Sequence, residues 1–229
     1  MLEALRAEVL EANLELVRRG LVIYTFGNAS GISRERGLMV IKPSGVPYDK
    51  MTAADMVVTD LNGKVVEGSL KPSSDVDTHT ALYRAFPEIG GVAHTHSRHA
   101  TAWAQAGREI PCFGTTHADY FHGPVPVTDP LTPEEIERDY EANTGVAIIR
   151  RLKGRDALAC PAVLVAGHAP FCWGKSPADA AHSAVIVEEL AAMAWQTLTI
   201  NPEAQPISQA LRDKHHFRKH GPTASYGQR

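Results

Sequence analysis

The sequence predicts a single α/β domain, and three observations carry that expectation. Apolar residues recur at helical spacing in several segments, short apolar runs bounded by turn residues lie between them, and no repeat, low-complexity stretch or linker divides the chain. The 229 residues suffice for one well-filled core and are few for two, so 1–229 reads as one domain.

Leu2, Leu5, Val9, Ala12 and Leu16 follow a 3-4-3-4 spacing, which predicts an amphipathic helix over 2–19 stopped by Gly20. Leu21 to Phe26 reads as a strand broken by Gly27-Asn28-Ala29-Ser30-Gly31. Leu38 to Ile41 reads as a second, running into Lys42-Pro43-Ser44-Gly45. Met56–Thr59 and Lys64–Val66 flank Asn62-Gly63, a dipeptide suited to a tight hairpin turn. The first third is therefore antiparallel sheet behind one helix.

Lys71-Pro72-Ser73-Ser74-Asp75 opens a helix to about Phe86, with a serine as N-cap and Leu82, Tyr83 and Phe86 on its buried face. A histidine-bearing strand then leads to a helix from Ser97 to Ala106, stopped at Gly107. Pro111 to Tyr120 reads as a short strand and a polar turn. Thr132-Pro133-Glu134-Glu135 is a capping box with proline at the first helical position, and Gly145 is expected to weaken the helix that follows. A strand at 162–166 precedes His168, and Ser176-Pro177-Ala178-Asp179 caps the longest helix, to about Leu198.

Lys and Arg total 23 against 26 Asp and Glu, a formal charge of −3, which supplies no global positive field for nucleic acid or an anionic membrane. The basic run from Lys214 to His220 reads as a solvated helix end. Cys112, Cys160 and Cys172 are odd in number and lack C-x-x-C spacing, so they read as reduced thiols. With no signal-peptide pattern and no apolar run of membrane-spanning length, the expected location is the cytoplasm.

Chemistry concentrates at Gly90-Gly91-Val92-Ala93-His94-Thr95-His96-Ser97. In a strand His94 and His96 project from the same side, and paired neutral imidazoles are the usual start of a transition-metal site. His168, after its own apolar strand, is a candidate third ligand. Gly27-Asn28, Ser44-Gly45 and Ser73-Ser74 join glycine or a helix start to short polar side chains. Converging beside a metal, they would form a phosphate cradle.

Six segments taken together are specific. They are Gly27-Asn28-Ala29-Ser30, Ile41-Lys42-Pro43-Ser44-Gly45, Lys71-Pro72-Ser73-Ser74-Asp75, His94-Thr95-His96-Ser97-Arg98-His99, Thr115-Thr116-His117-Ala118-Asp119-Tyr120, and the tail from Arg218-Lys219-His220-Gly221 to Tyr226-Gly227-Gln228. In this order, along nearly the whole chain, they resemble the class II aldolase and L-ribulose-5-phosphate 4-epimerase family, and its epimerase members most closely.

The resemblance implies a central, largely antiparallel sheet flanked by helices in three α/β/α layers, assembled as a homotetramer with active sites at subunit interfaces. It implies that His94, His96 and His168 ligate Zn²⁺, or another divalent ion such as Mn²⁺ or Co²⁺, with Asp75 as the carboxylate beside the metal. Gly27, Asn28, Ser44, Gly45, Ser73 and Ser74 match substrate- and phosphate-binding positions, with Lys42 close by and His215 in the active-site tail that starts near 212. Asp119 and Tyr226 match an acid/base pair lent by a neighbouring subunit. Ala169 stands where glycine is usual in close relatives and Phe26 where tryptophan is common; neither change removes a functional group.

The implied reaction is conversion of L-ribulose 5-phosphate to D-xylulose 5-phosphate. Its C4 hydrogen is not adjacent to the ketone, so inversion proceeds by retro-aldol cleavage of the C3–C4 bond, rotation of the aldehyde and re-addition. An open three-histidine site suits a Lewis acid for the enediolate so formed. The alternatives are an aldolase cleaving a sugar phosphate, which would carry glutamate in place of Asp75, and an epimerase acting on another pentulose 5-phosphate. A non-catalytic adducin-like head is disfavoured by the intact histidines. A cupin would need a glutamate ligand where Ala100 and Thr101 stand.

Overall fold

The strand at the centre of this protein's sheet buries polar side chains, Asn28 and Ser30, beside the apolar Ala29 and Ile32. The computed structural model describes residues 2–220 and 224–225. Its strands are β1 (Asn28–Ser33), β2 (Leu38–Ile41), β3 (Val57–Asp60), β4 (Val65–Glu67), β5 (Gly91–His94), β6 (Ala162–Leu164) and β7 (Pro170–Gly174). They form one seven-stranded sheet in the order β4-β3-β2-β1-β5-β7-β6, with every neighbouring pair antiparallel. The helices are α1 (Glu3–Arg18), α2 (Val76–Ala85), α3 (Arg98–Gln105), α4 (Thr115–Ala118), α5 (Pro133–Arg151), α6 (Pro177–Ile200) and α7 (Gln209–Lys219). This is the mixed α/β architecture of antiparallel sheet and flanking helices that the sequence predicts.

The expected strand at 21–26 does not form, and the segment read as its break is β1. Ile23, Tyr24 and Phe26 are 57%, 87% and 55% exposed, so the apolar run has no core to face. In β1 the buried polar groups find partners on both faces. Asn13 of α1 donates to the carbonyls of Val9 and Ala29 and accepts from the Ala29 N–H. On the opposite face Ser30 Oγ lies 2.7 Å from His79 Nδ1 and 2.9 Å from Tyr83 Oη, both on α2. Gly31 points the other way, against Leu5 and Val9 of α1 and Pro177 of α6. The alternation thus places α1 and α6 on one face of the sheet and α2 on the other.

The hairpin at Asn62-Gly63 forms as expected, with the Asp60 N–H bonded to the Lys64 carbonyl. The capping box at Thr132 also forms: Thr132 Oγ1 accepts from the Glu135 N–H, and Glu135 Oε2 accepts from the Thr132 N–H. Two other expectations need correction. Asp75, not a serine, occupies the N-cap of α2, and its side chain makes no cap bond. The segment 111–120 holds a four-residue helix, α4, instead of a strand; its extended neighbour is an isolated bridge between Ile110 and Val125.

Gly145 does not break α5. The helix kinks at Asp139 (φ −150°, ψ 74°), and Gly145 lies where α5 crosses α2. A Cβ there would sit 2.7 Å from the Ala81 Cβ. Helix propensity alone would make Gly145→Ala stabilising by about 1 kcal/mol. Close packing makes it destabilising by about 1–3 kcal/mol. Denaturant unfolding of Gly145→Ala is therefore expected to show a lower midpoint than the parent; a higher one would mean α2 and α5 are not in this contact.

Candidate active site

The site begins at one end of the sheet, where three neighbouring strands align. Asn28 of β1, His94 of β5 and Phe171 of β7 form a cross-strand row. The His94 ring stacks on Phe171, with centroids 4.1 Å apart and an interplanar angle of 17°. Its Nδ1 lies 2.9 Å from the Pro170 carbonyl. A carbonyl only accepts, so this bond assigns the proton to Nδ1 and leaves Nε2 with a free lone pair.

His96 lies two residues past the end of β5, in extended chain before α3. That segment is held from the other side by Glu188 of α6, whose carboxylate accepts the N–H groups of His99 and Ala100 at 2.9–3.1 Å and His99 Nδ1 at 2.8 Å. It satisfies donors that the first turn of α3 would otherwise leave open. His168 comes from the turn between β6 and β7, closed by the Val165 N–H to the Ala169 carbonyl. Ala169 is fully buried beneath that turn.

The three rings converge. Nε2 of His96 is 3.1 Å from Nε2 of His94 and 3.3 Å from Nε2 of His168. Among the described residues this is the cluster whose ligand atoms all lie within 4.8 Å of one another. Nitrogens about 2.05 Å from a tetrahedral Zn²⁺ are roughly 3.3 Å apart, so the spacing fits a shared divalent cation. Protonation fits as well. Burial, reinforced by His96, pushes His94 down to about 3, and burial with His94 and His96 pushes His168 down to about 4. His96 is lowered by burial too. All three are neutral at ordinary pH, the form in which an imidazole can take a metal.

The cleft around them has a volume of about 560 Å³ and brings together most of the residues singled out in the sequence. Asn28 Nδ2 donates to Asp75 Oδ2 at 2.5 Å, fixing the carboxylate beside the histidines. Buried Asn28 Oδ1 has no hydrogen-bond partner in the structure. The two loops at 42–45 and 71–75 are zipped together: the Ser44 N–H donates to the Lys71 carbonyl and the Ser73 N–H to the Lys42 carbonyl, each at 2.9 Å. Ser44, Gly45 and Ser74 are exposed on this double loop, while Ser73 is buried. Gly27 closes the other wall. Its φ is +90°, and a Cβ there would meet the His94 carbonyl at 2.8 Å, so glycine is required.

Lys42 is buried against the Tyr48 ring, 4.7 Å from its centroid, and donates to the Pro43 carbonyl. Burial pushes it down to about 8, which leaves it mainly cationic at neutral pH. Tyr48 in turn donates to the Gly27 carbonyl at 2.8 Å, tying both walls together. Phe26, at the rim, is tilted against His96 with centroids 6.3 Å apart.

Asp119 and His215 do not line this cleft. They meet each other elsewhere, where α4 packs on α7. Asp119 accepts from His215 Nδ1 at 3.1 Å, from Arg218 Nη2 at 2.9 Å and from Lys219 Nζ at 3.3 Å; its main-chain carbonyl accepts from His220. Burial raises the Asp119 pKa, but Arg218, His215 and Lys219 outweigh it and hold the carboxyl below its usual range. The basic run at 214–220 is therefore docked, not merely solvated. Tyr226 lies outside the described residues.

Sequence reasoning missed three contributors: Pro170, Glu188 and Tyr140. Tyr140 lines the cleft with its hydroxyl 3.1 Å from His168 Nδ1. A carbonyl acceptor and a cap from a distant helix leave no local pattern, and Tyr140 follows a kink that no glycine or proline marks.

Residues 7–195 match the model of the class II aldolase and adducin N-terminal domain family. The chain belongs to that family. Among solved structures, an L-fuculose 1-phosphate aldolase superposes with a TM-score of 0.80 at 26% identity, covering 94% of this chain and 95% of the other. YgbL from Klebsiella pneumoniae, a putative aldolase/epimerase/decarboxylase, gives 0.73 at 25% identity, over 94% and 100%. The l-fuculose-1-phosphate aldolase from Thermus thermophilus, at 24% identity and 0.66 over 89% and 98%, shares the fold. As a class II aldolase family member the chain falls in a sugar-phosphate aldolase/epimerase superfamily. Among the described residues no helix is long and apolar enough to cross a membrane.

Burial also holds His79 at about 3 and His117 and His216 at about 4, so with His94, His96 and His168 six rings sit below the 6.5 of an exposed imidazole. As pH falls through 6.5 the unfolded chain takes up protons that the native state refuses. The stability these rings carry is complete above about pH 6.5 and is lost as pH falls toward 4 and below. Unfolding midpoints of metal-free protein are expected to be flat between roughly pH 7 and 8 and to decline from about 6.5 to 4. A midpoint that rises over the acid interval would contradict this burial.

Proposed function

We propose that this protein is a divalent-metal-dependent epimerase that converts L-ribulose 5-phosphate to D-xylulose 5-phosphate. The observation that carries the reading is Asp75, a short carboxylate clamped by Asn28 beside three converging histidines. The aldolase alternative expects a longer glutamate there, able to reach the enediolate carbon. The L-fuculose 1-phosphate aldolase likeness supports the fold and the sugar-phosphate class without choosing between the two reactions.

His94, His96 and His168 would hold the ion, which when bound supplies Lewis-acid stabilisation of the negative charge that develops as the C3–C4 bond breaks. The remaining work belongs to the chain. Ser44, Gly45, Ser73 and Ser74 present hydroxyls and N–H groups to the phosphate, with Lys42 adding positive charge nearby. Asn28 Oδ1 offers an acceptor to a substrate hydroxyl. A base takes the proton from the C4 hydroxyl; the C3–C4 electron pair moves toward the ketone, giving dihydroxyacetone enediolate and glycolaldehyde phosphate. With its phosphate anchored, the aldehyde turns about the bond that links its carbonyl to the phosphate-bearing carbon. The same C–C bond re-forms on the opposite carbonyl face, and an acid returns a proton to the new C4 oxygen. Asp119 and Tyr226 would divide these two proton transfers from opposite sides.

Asp119 lies away from the cleft of its own chain, which supports its supply by a neighbouring copy in a homotetramer. Zn²⁺ is the proposed ion and the cytoplasm the proposed location.

A coupled assay for D-xylulose 5-phosphate tests the reading. Product is expected from L-ribulose 5-phosphate, abolished by chelation and restored by Zn²⁺. Accumulation of dihydroxyacetone and glycolaldehyde phosphate without xylulose 5-phosphate would assign an aldolase instead. Undiminished turnover in metal-free protein would exclude the site altogether.

A further inference from the structure

Of the three converging histidines, His168 is the one that a turn carries and that a helix outside the sheet bonds. His94 ends a strand and is locked by the Pro170 carbonyl, whereas His168 sits in the turn between β6 and β7, just after Gly167 at φ +71°. Its ring is half-buried, and its hydrogen-bond partner outside the histidine cluster is Tyr140, whose hydroxyl lies 3.1 Å from Nδ1. With Nε2 facing the other two rings as an acceptor, the proton belongs on Nδ1, which then donates to Tyr140 Oη.

Tyr140 is itself held. The kink at Asp139 lets the helix turn toward the cleft, and Asn143 Nδ2 spans the kink to the Glu135 carbonyl at 2.7 Å. Thr144 Oγ1 bonds the Tyr140 carbonyl at 2.8 Å, and Thr78 Oγ1 of α2 bonds the next carbonyl, Glu141, at 2.6 Å. Gly145 then brings α5 into contact with Ala81 of the same helix. The tyrosine that orients His168 is thus bolted to α2, whose N-cap is Asp75. A rigid outer partner of this kind fixes both the tautomer and the direction of a ligating imidazole.

We propose that Tyr140 is a positioning residue that holds His168 in ligating geometry and so sets the metal affinity of the site. The inference rests on the three-histidine metal reading above. It adds that the kinked turn of α5, outside the six segments that carry the family resemblance, is part of the metal centre.

The test compares parent, Tyr140→Phe and His96→Asn proteins for Zn²⁺ affinity by competition with a chromogenic chelator, and for the visible spectrum of Co²⁺-loaded protein. Tyr140→Phe keeps the ring and removes only the hydroxyl. Its Zn²⁺ dissociation constant is expected to rise about 10- to 100-fold, with altered Co²⁺ bands. The unfolding midpoint of its metal-free form should stay at the parent value. A purely structural role would move the midpoint and leave the Co²⁺ spectrum of the folded protein unchanged, and that result would overturn the proposal. So would parent-like affinity in Tyr140→Phe alongside lost binding in His96→Asn; the metal reading would then survive alone. A parent protein that binds no Zn²⁺ would remove both.

Discussion

The Pro170 carbonyl decides which nitrogen of His94 faces the cleft, and the rest of the site is arranged around that choice. By accepting from Nδ1 it turns Nε2 toward His96 at 3.1 Å. Two acceptor lone pairs so close repel unless something positive lies between them. Burial denies the charged imidazolium, holding His94 near 3 and His168 near 4. Two arrangements satisfy the contact: a neutral His96 donating from Nε2, or a divalent cation in place of that proton, and the 3.1 and 3.3 Å spacings suit the cation as well. The strand pairing that aligns β5 with β7 therefore does more than build a sheet. It fixes a tautomer, and the tautomer leaves a lone pair facing the cleft.

The other wall follows from the same alignment. Asn28 is the register partner of His94, so the residue that clamps Asp75 is placed by the pairing of β1 with β5. The close approach of Gly27 to the His94 carbonyl lets the chain enter β1 at that level. Tyr48 carries the connection to the double loop, since it bonds the Gly27 carbonyl while its ring covers Lys42. The double loop and the three histidines are thus joined through three side chains and one row of the sheet. A shift of one residue in β1 would turn Asn28 to the opposite face and separate them.

How much of this was legible in the sequence depends on whether the determinant was local. The helices at 2–19 and 177–198, the Asn62-Gly63 hairpin and the Thr132 capping box are local devices, and they stand where the residues place them. The three histidines were legible as well, because imidazoles at strand ends are few and chemically distinctive. The failures have a common cause. In Leu21–Phe26 the apolar side chains Ile23, Tyr24 and Phe26 have no core to bury them, while in Asn28–Ser33 the Ala29 main chain is bonded by Asn13 of α1 and the Ser30 side chain by His79 and Tyr83 of α2. Hydrophobic periodicity registers burial in apolar surroundings and is blind to polar groups buried with partners from distant segments. Gly145 has a second role that its own helix does not reveal. Its meaning lies in Ala81, on a helix far away in the chain, and not in its own helix.

In a single chain Asp119 stands apart from the cleft, among cations of its own. Its carboxylate is surrounded by Arg218, Lys219 and His215, which keep it ionised despite burial. Such a group accepts a proton readily only when its cations are drawn off to another anion or when the proton arrives from a strong donor. A sugar phosphate brings an anion of that kind. If α4 and α7 of one copy face the cleft of the next, the cations that now neutralise Asp119 would be shared with incoming negative charge, and the carboxylate would become more basic as substrate binds. A proton acceptor that strengthens only in the loaded interface would resist idle protonation in the free protein, which would give the proposed division of the site between neighbouring subunits a physical reason.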